Sequence, residues 1–61
     1  MTGTYRALIA VTATNVLAAV RTGVTTDDAI AGAVHIAVTF DNTLCREKMT
    51  DDVLNFLAKM D

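Results

Sequence analysis

The chain has 61 residues, 52% of them hydrophobic, with seven acids against five bases and a net charge of -2 at pH 7. That length holds one domain, and the near balance of charge excludes a polycationic nucleic-acid binder and a long acidic tail. The single cysteine, Cys45, excludes an internal disulfide framework and fits a reducing, cytoplasmic setting.

From Ala7 to Val20 only Thr12, Thr14 and Asn15 interrupt a hydrophobic, alanine-rich run. Gly23 then follows Arg21 and Thr22, where a left-handed residue closes a helix and the arginine meets the negative end of its dipole. A first helix is expected from about Thr4 to Thr22. The uncharged run between Arg6 and Arg21 is 14 residues, short of the ~20 needed to cross a bilayer, so no membrane partner is expected. A secretory-signal reading would take Arg6 as the charged start and Ala7 to Ala13 as the apolar segment. Cleavage there would leave too little chain to fold well, and the reading is set aside.

Thr25, Thr26, Asp27 and Asp28 have the chemistry of a helix start, a hydroxyl for an orphan amide and carboxylates for the positive end of the dipole. The stripe Ile30, Ala33, Ala37, Phe40 and Leu44 predicts a long second helix from Thr26 to about Lys48. A break near Asp41 and Asn42 is compatible with it. Residues 34–40 also alternate as a strand would, with β-branched Val34, Ile36 and Val38; the Thr-Asp-Asp start and Ala29, Ala31 and Ala33 favour helix. Thr50, Asp51 and Asp52 repeat the helix-start pattern, with Met49 and Leu54 placed for a hydrophobic staple. A third helix is therefore expected from about Asp51 to Met60, burying Val53, Phe56, Leu57 and Met60.

Few residues stand out chemically. His35, the only histidine, shares a polar stripe with Asp28, Gly32, Thr39 and Asn42 and lacks companions at metal-ligand spacing. Cys45 is ten positions from His35, about 15 Å along a continuous helix and on a different face, so the two form no dyad there; a buried, inert cysteine is expected. Asp27 with Asp28, and Asp51 with Asp52, read as caps, because neighbouring helical positions point about 100° apart. No cofactor or metal is expected.

Ala19, Gly23, Val24 and Thr25 resemble the first-helix end and turn of a helix-turn-helix DNA-binding element, over about half of that motif. The resemblance implies that the residues after Thr25 enter the major groove. Those residues are Asp27 and Asp28, then alanines, which repel phosphate and read no base edge. Arg6, Arg21, Arg46, Lys48 and Lys59 are dispersed.

The chain has no Trp, one Tyr and two Phe, so its apolar volume is small while its apolar faces are wide. An all-α bundle of two long helices and a short third is expected, completed by oligomerisation, with Ala29, Ala33 and Ala37 as a smooth strip for self-association. The functional expectation is a non-enzymatic protein-protein interaction module, an adaptor, regulator or inhibitor. It would bind itself through that strip and another protein through Asp27, Asp28, His35, Phe56 and Leu57. The alternative is a DNA-binding regulator using the turn at Gly23.

Overall fold

The computed structural model describes residues 2–60, and these form three α-helices without a strand. They are α1 (Thr2–Arg21), α2 (Thr26–Phe40) and α3 (Arg46–Lys59). Each helix packs against both others. The expected all-α bundle is the fold, and residues 34–40 are helical.

The turn after α1 follows from Gly23. Its φ is +102°, a conformation that costs glycine little because it has no Cβ. The Val24 amide donates to the Ala19 carbonyl at 3.2 Å and the Gly23 amide to the Val20 carbonyl at 3.1 Å, the paired bonds of a Schellman cap. Two residues later Thr25 caps α2, its Oγ1 accepting from the Asp28 amide at 3.3 Å. Asp27 and Asp28 occupy the first turn of α2.

The second half departs from expectation. α2 ends at Phe40 instead of continuing to Lys48. Asp41 stops it: its Oδ1 accepts from the Thr43 amide at 3.1 Å and the Thr43 hydroxyl at 2.6 Å, folding the chain into a local turn that competes with the helix. These bonds hold the Asp41 carboxyl below its ordinary range, the hydroxyl contributing most. Phe40, the last residue of α2, is left exposed, whereas Leu44, beyond the stop, packs against the core.

α3 starts at Arg46 with Cys45 at its N-cap, a full turn before the expected Thr50. Thr50 instead lies inside the helix and donates its hydroxyl to the Arg46 carbonyl at 2.8 Å, so it caps nothing. The Met49–Leu54 staple is likewise absent, since Met49 is buried and Leu54 exposed.

The core is thin. Ile9, Ala13 and Val16 come from α1, Ala29, Ile30, Ala33, Val34 and Ala37 from α2, and Met49 and Val53 from α3. Thr12 is buried among them and donates its hydroxyl to the Leu8 carbonyl at 2.8 Å, which removes the penalty for burying it. The stretch Gly3–Arg21 is long and apolar enough to cross a membrane by length and composition, with mean hydropathy 1.2. Here its inner stripe is taken up by α2 and α3.

Candidate functional site

The residues expected to bind partners are spread over the molecule. Asp27 and Asp28 are exposed at the start of α2, and His35 is exposed farther along it. The Nδ1 of His35 accepts from Arg46 Nη2 at 3.1 Å, a contact that needs Nδ1 unprotonated. Asp27 and Arg46 line a small groove of about 220 Å³ between α2 and α3, with Leu54 at its edge. Phe56 and Leu57 are half-buried on α3, packed against the core.

Ala29, Ala33 and Ala37 are buried inside the chain. The strip is thus used for packing within one copy, which corrects its assignment to self-association. Small side chains at four-residue spacing suit close helix approach, and here that approach is intramolecular. Cys45 is also corrected: it is a free, exposed thiol, because the helix break places it on the surface.

The most developed polar arrangement joins α1 to α3. The Tyr5 hydroxyl donates to Asp52 Oδ2 at 2.5 Å, and Lys48 Nζ reaches the same oxygen at 2.8 Å. The Lys48 ammonium also stands 4.7 Å from the centre of the Tyr5 ring, within the range of a cation–π contact. Lys48 and Tyr5 hold the Asp52 carboxyl below its ordinary range, the lysine contributing more. In return the Lys48 ammonium is raised, mainly by Asp52. Burial first, and then the Asp52 carboxylate, raise the Tyr5 phenol.

These residues border an open groove of about 820 Å³ between α1 and α3. Arg6, Lys48 and Lys59 line it with one carboxylate, Asp52, and the amide of Asn55; Ala7, Phe56 and Met60 supply apolar surface. Three cations facing one paired acid give an excess of positive charge in a chain of net charge -2. Such a surface attracts anions or acidic side chains and offers apolar contact beside them. Among the described residues, no group of three or more His, Cys, Asp and Glu is placed to hold a metal ion.

Of the expected partner-binding residues, only Phe56 lies in this groove. Tyr5, Lys48 and Asp52 were missed for a definable reason. Lys48 and Asp52 are an i, i+4 pair only if α3 begins before Lys48, and placing its start at Thr50 separated them. Tyr5 and Asp52 are far apart in the chain, so their contact had no local signal. The chain matches no known protein family, no curated protein and no solved structure at a significant level.

Proposed function

We propose that this chain is a small, non-enzymatic protein-interaction module that works as a homo-oligomer and receives an acidic amphipathic segment of a partner protein between α1 and α3. The observation that carries the reading is the pairing of Arg6, Lys48 and Lys59 with Ala7, Phe56 and Met60 along one groove. An amphipathic helix laid into a groove uses both kinds of contact, apolar anchors for affinity and charge for orientation and rate. The probe is a labelled synthetic helix of about 15 residues with leucines on one face and glutamates beside them, followed by fluorescence anisotropy. It should bind, more weakly as salt rises, and the Arg6→Glu/Lys59→Glu double variant should lose at least about tenfold in affinity, since two charge-assisted contacts are reversed. The same peptide with lysine for glutamate should not bind. Equal binding of the two peptides, or none of either, removes the groove as the site.

A second reading is a DNA-binding regulator. It is favoured by the four-residue connection between α1 and α2, with Gly23 left-handed, as in helix-turn-helix elements. Against it, α2 begins with exposed Asp27 and Asp28 and contains no Lys or Arg. Duplex DNA should therefore give no shift at physiological salt; a salt-dependent shift would reverse the ranking of the two readings.

A further inference from the structure

In the groove between α1 and α3, two donors from different helices converge on one atom. The Tyr5 hydroxyl, from α1, and the Lys48 ammonium, from α3, meet at Oδ2 of Asp52, at 2.5 Å and 2.8 Å. The ammonium lies 4.7 Å from the centre of the Tyr5 ring, so the two donors also hold each other in place. A charged donor and a neutral one aimed at a single point match the needs of a carboxylate oxygen. That point is open to water: the Lys48 side chain is 67% exposed and the Asp52 side chain 31%, and both line the groove. Arg6 and Lys59 line it too, and among the described residues neither has an ion-pair partner.

We propose that Tyr5 and Lys48 form a carboxylate-binding subsite of the groove, and that Asp52 is an internal ligand that fills it in the free chain and competes with an acidic side chain of the partner. The proposal rests on the reading of the groove as the seat of an acidic amphipathic segment and adds how that seat is regulated. Asp52 follows Lys48 by four residues on the same helix face. It therefore occupies the subsite as a tethered group, at a high effective concentration that a separate molecule must overcome.

The tether is also weak enough to yield. An ion pair this exposed contributes little, and a partner's carboxylate arriving with apolar anchors over Phe56 and Met60 takes over the same two donors, so hydrogen bonds are exchanged one for one. What the exchange adds is repulsion between the displaced Asp52 and the newcomer. Asp52 thus holds affinity down and keeps the interaction reversible, while Arg6 and Lys59 meet the partner without an internal rival. A contact that served only to tie α1 to α3 predicts the opposite, because its loss would loosen the groove and bring no gain in binding.

The test uses the full chain and the leucine-glutamate helix described above, read by fluorescence anisotropy. Asp52→Ala empties the subsite and should tighten binding by at least about fivefold, with circular dichroism showing the helices intact. Asp52→Asn, of the same shape but uncharged, should shift affinity in the same direction, so that poor folding of the alanine variant does not decide the matter. Adding Lys48→Met to either variant should cancel the gain. Asp51→Ala makes the same change in net charge at an exposed position outside the groove lining, and should gain less than about twofold because water and salt screen it. The peptide with lysine for glutamate should gain from none of them. If wild-type protein binds the acidic peptide and neither Asp52 variant binds it more tightly, the subsite is overturned and the groove stands as the seat. A gain that Asp51→Ala reproduces, or that Lys48→Met leaves in place, has the same consequence. If wild-type protein does not bind the peptide, the reading of the groove falls and this proposal with it.

Discussion

Asp52 accepts from the first and last helices at once, so its protonation is linked to the docking of α1 on α3. Its folded carboxyl titrates below the ordinary value of 3.8, chiefly because Lys48 and then Tyr5 donate to it. As pH falls below 3.8 the unfolded chain takes up a proton that the folded chain still refuses. The stabilisation is therefore fully present above that pH and disappears as pH drops through the folded value. The effect is small, because the pair is largely solvated and water screens it. Urea midpoints measured from pH 7 down to about pH 2 should decline more gently for Asp52→Asn than for wild type; the residual slope belongs partly to Asp41, which Thr43 also holds low. Parallel curves would detach Asp52 from acid stability. Cys45 offers a second test at this scale. It stands at the N-cap of α3 with no side-chain hydrogen bond to the helix, a position where serine is among the preferred residues. Cys45→Ser should raise stability by up to about 1 kcal/mol, read as a higher melting midpoint, and an unchanged midpoint would mean that the new hydroxyl finds no amide. The Thr25 cap was readable because cap and helix are adjacent; the Tyr5–Asp52 bond was not, since nothing near Tyr5 in the chain announces its partner.

Among the elements, α1 and α2 were legible at the ends where Gly23 and Thr25 act, because a glycine cap and a threonine cap work through the next few residues. The boundary between α2 and α3 was not. Thr50-Asp51-Asp52 has the composition of a helix start, yet Arg46, Glu47 and Lys48 before it are good helix formers and extend α3 backwards. Thr50 satisfies its hydroxyl on the preceding turn, so the same residue type serves mid-helix without needing a terminus. The shift exchanges the fates of two side chains. Met49 is 0% exposed, whereas Leu54 is 45% exposed. Met49→Ala should thus cost about 2–5 kcal/mol and Leu54→Ala no more than about 0.5 kcal/mol in denaturant melts; similar costs for the two would restore the stapled arrangement. On α2, Ala33→Leu places a branched side chain where the core holds an 8% exposed alanine, and overpacking should lower stability by about 1–3 kcal/mol. No loss would mean that α2 can step away from its neighbours.

For the molecule as a whole, the excess of apolar surface was legible and its location only partly so. Composition and the long run from Ala7 to Val20 implied that one copy could not cover everything, and Phe40, Val11, Ile36 and Met60 do remain exposed. Which side chains those are depends on where α2 stops and on how the helices meet, matters decided by Asp41 and by the shape of the neighbouring faces. The core itself is made of small side chains, its largest fully buried members being Met49, Val16, Val34 and Val53, and α3 supplies two of these. Removing the chain after Met49 should abolish the cooperative thermal transition; a truncated protein with an unchanged melt would show that α1 and α2 are sufficient. The contact of Tyr5 with α3 also makes the protein its own optical gauge. With one tyrosine and no tryptophan, its absorbance near 295 nm at high pH comes from a single phenol, and that phenol touches a residue 47 positions away. Because burial and Asp52 delay its ionisation above the usual 10.0, an alkaline titration of native protein should lag behind one in denaturant. The lag between the two curves records whether the two extremes of the chain are together, without a dye or a label.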